Sequence, residues 1–216
     1  MVLIKPILLR KLKKPKKCKK VFVMKNRILQ MAREMFLRHG YSKIRIDEIS
    51  SELNISKKTI YNHFSSKEEL VFAVIEQGMV DIEQELTAIE NNPANSYEDK
   101  IKSSLSLLGV WVSKVAVLIN DLKRNLPEAY DVIVNYKKDL LMRHGMRILQ
   151  EGVKLGKLKE GWSLNMALYM FIAASEKLFT DAFHQTMPSE MVAGFPLSLE
   201  ERLYSVIEII YSGISK

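Results

Sequence analysis

Ile46-Asp47-Glu48-Ile49-Ser50-Ser51-Glu52-Leu53-Asn54-Ile55-Ser56-Lys57-Lys58-Thr59-Ile60-Tyr61-Asn62-His63-Phe64 is the stretch that decides how this chain folds. Its spacing predicts two short helices, Ile46–Leu53 and Ser56–Phe64, joined by a tight break at Asn54-Ile55: a helix-turn-helix pattern. Ile46, Ile49 and Leu53 repeat on the inner face of the first helix, with Asp47, Glu48 and Glu52 outside. Ser56 has the short acceptor side chain that caps the second. There Ile60 and Phe64, four apart, face a small core with Leu53 and Ile55. At about 100° per residue, Lys58 and Asn62 lie opposite Ile60, flanked by Thr59 and Tyr61. That face offers an ammonium, an amide, a hydroxyl and a phenol, with no acid among them. Taken alone it reads equally as a solvated helix face; concentrated on one short helix, it is also what docking on a polyanion requires.

Helical periodicity continues on both sides. Upstream, from Lys25, Ile28, Ala32, Met35 and Phe36 form one stripe that ends at Gly40, suited to a left-handed C-terminal cap. Downstream, Ser66-Lys67-Glu68-Glu69 reads as a capping box opening a helix with Leu70, Val71, Val74 and Ile75 apolar. Asn91-Asn92-Pro93 breaks the chain and Ser96 caps the next helix, whose stripe is Ile101, Leu105, Leu108, Val112, Val115 and Ile119. Pro127 suits the first turn of another helix, through Tyr136, Leu140 and Leu149 towards Gly156. Ser163 caps a largely apolar helix to about Phe183. Pro188, Gly194 and Pro196 mark a loop. Ser198-Leu199-Glu200-Glu201 opens a last helix with Leu203, Val206, Ile207, Ile210 and Tyr211. There is no internal repeat, and the fold class is all-α.

Composition agrees. The chain has 216 residues, 47% hydrophobic and 27% charged, which suits a globular protein with a sizeable core. Nine Gly and six Pro are too few to turn an all-β fold. A lone cysteine, Cys18, excludes an intramolecular disulfide scaffold and favours a reducing, cytoplasmic setting. The longest apolar run, Met166 to Ser175, falls well short of a membrane span. The net charge of +8 is uneven: residues 1–25 hold ten Lys/Arg and no acid, while residues 78–216 carry a slight acidic excess. Residues 1–23 read as a separate basic arm interrupted by Pro6 and Pro15, its apolar part preceding its charges in the reverse order of a secretory signal. No nucleophile elbow, phosphate loop or zinc spacing is present, so no enzymatic activity, cofactor or metal is expected.

From chemistry alone, Asn62 suits a bidentate contact to adenine and Lys58 the O6 and N7 of guanine. Lys57, Thr59, Tyr61 and Lys67 suit phosphates, Lys67 at a helix N-terminus, and Arg45 can also reach one.

Lys25 to Gln77, above all Gly40-Tyr41, Asp47-Glu48-Ile49, Ile55 to Phe64 and Ser66 to Leu70, resembles the DNA-binding domain of the TetR family of transcriptional repressors. The resemblance implies a nine-helix, two-domain architecture. In it a helix-turn-helix domain (24–70) binds double-stranded operator DNA, and a helical domain (71–216) binds a small effector and forms a homodimer. The positions matching family DNA contacts are Ser56, Lys57, Thr59, Tyr61, His63 and Lys67. Two positions depart from the pattern. Ile44-Arg45 stands where a Thr cap is usual, and Asn54 replaces the turn glycine, which Asn tolerates because it visits the left-handed region at low cost. Met24-Lys25-Asn26-Arg27-Ile28 looks like an ordinary family start. Residues 1–23 are then either a basic arm along DNA or upstream translation from a misassigned start codon.

Further along, Trp111, Tyr136, Met142, Met146, Met170 and Phe171 are expected to line a mostly apolar effector cavity. Each is also an ordinary core type. Met166, Met170, Ala174 and Leu178 with Leu203, Ile207 and Ile210 are expected at a two-fold dimer interface. The competing reading is a peripheral membrane-surface protein docked through its basic N-terminus.

Overall fold

A computed structural model of the chain describes the backbone of residues 18–177, 185–194 and 198–215, with side chains from Phe22 onward. The helices are α1 (Cys18–His39), α2 (Ile46–Glu52), α3 (Lys57–Tyr61), α4 (Lys67–Asn91), α5 (Tyr97–Asn125), α6 (Pro127–Leu140), α7 (Arg147–Lys154), α8 (Trp162–Lys177), α9 (Ser189–Val192) and α10 (Leu199–Ile214). A π-helical turn, Leu141–Met146, joins α6 to α7, so those three segments run as one rod and the described helices make nine rods in all. No strand occurs among the described residues; one backbone bridge, Leu158 to Ser215, ties the loop after α7 to the end of α10.

The caps that start these helices are those the sequence supplies. Ser56, Ser66, Ser96 and Ser198 accept from the amides of Thr59, Glu69, Asp99 and Glu201. At Ser66 the reciprocal half differs from a capping box, because the Glu69 carboxylate takes the N–H and hydroxyl of Ser65 instead. At α2 the weak cap Arg45 has no acceptor to offer; Glu48 compensates by accepting the Arg45 N–H at 2.6 Å. Pro127 is the first residue of α6.

Three boundaries differ from the reading of the sequence. α1 begins at Cys18 rather than Lys25, since nothing between Pro15 and Lys25 breaks a helix, so the part of the arm from Cys18 on belongs to α1. Ser163 lies inside the first turn of α8 rather than capping it. α3 closes at Tyr61, with Asn62 as its C-cap and His63 in the following turn.

α5 is the axle of the molecule, in contact with α1, α4, α6, α8 and α10. Its mean hydropathy over 18 residues, 1.6, is that of a spanning helix. Reading apolar runs misses this, because small polar residues interrupt them; the buried stripe Ile101, Leu105, Leu108, Val112, Val115, Leu118 and Leu122 faces the other helices. Gly109 lets α8 and α10 approach closely: a Cβ there would lie 2.6 Å from Leu203 Cδ2 and 3.0 Å from Phe171 Cζ.

Polar clamps attach α4 and the turn after α1 to this body. His144, buried in the π turn, has Nδ1 2.8 Å from Glu90 and Nε2 3.1 Å from Glu83, both on α4. Arg143 pairs with Glu83 at 2.6 Å, Arg147 pairs with Glu90, and the Tyr136 hydroxyl donates to the Met79 carbonyl at 2.7 Å. Arg33 of α1 pairs with Asp81 of α4.

Candidate nucleic-acid interface

Apolar packing orients the recognition helix. Ile60 and Phe64 are buried with Ile46, Ile49 and Leu53, and α1 supplies Ile28, Ala32 and Phe36 beneath them. Asn54 sits at φ +52° and closes the turn between α2 and α3. Ser56 Oγ accepts from the Thr59 N–H at 3.1 Å and bonds the Thr59 hydroxyl at 2.9 Å, which rigidifies the start of α3.

With Ile60 inward, Lys58, Tyr61 and Asn62 are exposed, and none has a side-chain partner among the described residues. Ser56, Lys57 and Arg45 are exposed beside them, and Thr59 and His63 are half-buried at the edge. Lys57 pairs with Asp47 at 2.6 Å, both groups open to solvent, a contact a phosphate can replace at little cost. Lys67 is differently placed. Its ammonium lies 4.1 Å from the centre of the Tyr41 ring, and burial lowers its pKa from the usual lysine value against the pull of Asp121, Glu68 and Glu48. Burial, with a hydrogen bond to Glu68, also pushes the Tyr41 phenol up to about 12. Nothing in the local spacing marks Lys67 as shared in this way.

The turn leading into α2 is held from α5. Gly40 has φ +87°, and a Cβ there would lie 3.0 Å from the Asp121 side chain. Asp121 accepts from the Ser42 N–H and the Ser42 hydroxyl, each at 2.6 Å. Burial raises its pKa, but the bonds from Ser42 and the Tyr41 amide outweigh that and leave the carboxyl below its usual range. Sequence reasoning did not single out Asp121, whose partners lie 79 positions away.

The six residues expected to line one effector cavity do not converge. Met142 and Met170 are exposed at 63% and 54%, because both fall opposite the buried stripes of their helices. Phe171 fills the core under Gly109, and the gap beside it measures only about 10 Å³. Trp111 and Tyr136 meet edge to face with ring centres 6.1 Å apart, and Met146 packs at the core margin. A partly open cleft of about 220 Å³ lies between α5, α6 and α8. Its lining mixes Val112, Ala116, Ile119 and Val134 with Lys123, Lys137 and Glu176.

The expected dimer residues also divide. Leu203 and Ile207 are fully buried against α5 and α8 within one protomer, so they are not interface residues. Ile210 and Ala174 are half-buried, and Leu178 lies outside the described residues. The expected Met166 and Met170 are exposed, in one continuous stripe of α8 with Trp162, Tyr169 and Ala173, and Ile209 of α10 is exposed as well.

Residues 28–74 match the family model of bacterial regulatory proteins of the tetR family. An uncharacterized HTH-type transcriptional regulator of Bacillus subtilis is 22% identical over 196 residues, covering 89% of this chain and 96% of the relative. An HTH-type transcriptional repressor of Streptomyces coelicolor is 40% identical over 58 residues, 27% of this chain and 30% of its own length. The fold is that of a TetR-family regulator from Agrobacterium tumefaciens, with a TM-score of 0.69 at 19% identity over 91% of this chain and 100% of that one. Residues 28–74 are thus similar to the DNA-binding domain of the tetR family, and the chain as a whole resembles regulators of that family in fold. It is a DNA-binding transcription regulator rather than an enzyme, with the family's helix-turn-helix domain followed by a helical domain. Within the TetR match lie Gly40, Asn54, the whole of α3 and Lys67.

Proposed function

We propose that the protein is a homodimeric, cytoplasmic TetR-family repressor that a small effector releases from its operator. The observation that carries the DNA contact is the outward face of α3: Lys58, Tyr61 and Asn62 exposed, unpartnered among the described residues and free of acids. Asn62 and Lys58 read base edges in the major groove, while Arg45, Ser56, Lys57, Thr59, Tyr61 and His63 hold phosphates. Lys67 joins them by leaving the Tyr41 ring. The DNA-reading part is residues 24–70, joined through α4 to an effector-binding and dimerising part, 71–216.

The exposed apolar stripe of α8 supports the dimer. Trp162, Met166, Tyr169 and Met170 form a face that closes on itself under two-fold symmetry. Closure sets two recognition helices about 34–36 Å apart or somewhat more, on successive DNA turns. Residues 1–17 add sequence-independent affinity if the native protein contains them.

Selection of bound duplexes from a random pool, followed by anisotropy titration, tests the reading. The expected result is a palindrome bound with a steep salt dependence, lost when Lys58, Tyr61 and Asn62 are all alanine. Unchanged binding by that triple variant would overturn it. Deleting residues 1–17 leaves palindrome recognition in place; under the membrane-surface alternative, lipid binding disappears with that segment and no duplex preference exists.

A further inference from the structure

The space between α5, α6 and α8 has a mixed lining. Val112, Ala116, Ile119 and Val134 supply its apolar part. Lys123 and Lys137 supply two ammonium groups beside the Glu176 carboxylate. Lys137 is the most enclosed of the charges whose pairing is known: its side chain is 17% exposed and pairs with Glu176, itself 36% exposed. A cation entering here meets like charge in a site of reduced dielectric. A neutral chain leaves the basic excess unmatched. A ligand with one carboxylate and an apolar tail satisfies both parts of the lining, its carboxylate taking a share of the Lys137 ammonium from Glu176.

We propose that this cleft binds a monoanionic amphiphile, a carboxylate on Lys123 and Lys137 with an apolar chain along Val112, Ala116, Ile119 and Val134. This departs from the mostly apolar effector cavity expected from the Met and aromatic residues of the sequence, and it rests on reading the protein as effector-controlled. The cleft also has a route to the DNA-binding part. Ile119 and Lys123 line it, and between them on the far side of the same turn of α5 stands Asp121, which holds the Gly40–Ser42 turn. A ligand that shifts the end of α5 therefore shifts the support of α2 and α3. Binding of ligand and of operator are linked through one helix segment, with Asp121 as positioning residue.

Octanoate and decanoate are the probes, with decanol and decylammonium as controls matched in chain but not in charge. Calorimetry on the full chain is expected to show the carboxylates binding at least about tenfold more tightly than decanol, with no decylammonium binding. Lys137→Gln and Lys123→Gln each weaken decanoate about tenfold, whereas Glu176→Gln, which removes the competing carboxylate, tightens it. Equal binding of decanoate and decanol, tighter decylammonium, or no binding by any probe overturns the proposal without needing a variant to fold. Duplex binding measured on the same samples separates this from the functional reading. Operator recognition without carboxylate binding sinks only the ligand class; carboxylate binding without operator recognition sinks the DNA reading and leaves the ligand class in place.

Discussion

Replacing Asp121 by alanine removes a side chain that reaches from α5 to the turn before α2. Three side-chain hydrogen bonds are lost: those from the Ser42 N–H and the Ser42 hydroxyl, each 2.6 Å long and each to an ionised acceptor, and one from Asn125 Nδ2 at 3.0 Å. Such bonds are worth about 1.5–3 kcal/mol apiece when shielded. Ser42 is exposed, so water takes over part of each, and the sum is expected at about 1.5–3 kcal/mol. Asn125 confuses the count little, because its amide also donates to the Asp121 carbonyl at 3.0 Å and keeps that bond. The decisive measurement is a cycle. Ser42→Ala in the parent loses the hydroxyl bond and costs about 0.5–1.5 kcal/mol. In an Asp121→Ala background that hydroxyl has no partner to lose, so the same change costs close to nothing. Urea midpoints at constant slope give all four corners. The functional corner is duplex binding with and without decanoate: Asp121→Ala still binds the carboxylate but no longer transmits it to the operator. An equal cost for Ser42→Ala in both backgrounds would refute the latch, as would undiminished coupling in Asp121→Ala.

Three other outcomes follow from the same geometry. Glu83 is held down to about 2, against an ordinary value of 4.5, chiefly by its bond to Arg143 and also by His144, with burial opposing. A carboxyl lowered on folding stabilises the fold above its unfolded value and loses that contribution as pH falls, here between about 5 and 2. The melting-temperature gap between the parent and Glu83→Gln should therefore be largest at neutral pH and close on acidification. Gly109→Ala places a methyl 2.6 Å from Leu203 and is expected to cost about 1–3 kcal/mol in urea melts, since Phe171 and Ser175 block the retreat. Tyr169→Glu with Met170→Glu puts charges on the exposed stripe of α8; sedimentation should show monomers with unchanged helix content, and a persistent dimer would place the interface elsewhere.

What the sequence made legible follows from what local spacing encodes. The caps Ser56, Ser66, Ser96 and Ser198, the left-handed Gly40 and Asn54, and the inward Ile60 and Phe64 each depend on neighbours within four or five positions, and each appears in the structure as read. The recognition face is the complement of Ile60, so it came with the helix. What stayed hidden depends on partners far along the chain. His144 shows no acid at ligand spacing, yet Glu83 and Glu90, 61 and 54 positions before it, close on both ring nitrogens. Asp121 and Ser42 are 79 apart.

The interface expectation fails at Leu203 and Ile207, while Met166 and Met170 lie on the exposed stripe of α8, and the difference has a physical reason. An apolar helix packed on both sides carries two stripes, and hydrophobicity does not say which is claimed within the protomer. On α10, Leu203, Ile207, Ile210 and Ile214 recur at helical spacing, and a stripe that regular is the first to be buried by its own chain; Ile209, at 74% exposure, lies off it. On α8 the inner stripe is Leu164, Ala167, Leu168, Phe171 and Ser175, which leaves Trp162, Met166, Tyr169 and Met170 outside. Core packing uses up the best apolar pattern of each helix. The surface left to meet a second copy is therefore the residual pattern, in which aromatic and methionine side chains stand among polar ones. The double glutamate variant tests that inference directly: it leaves every inner-stripe residue in place and charges only what folding of the single chain did not need.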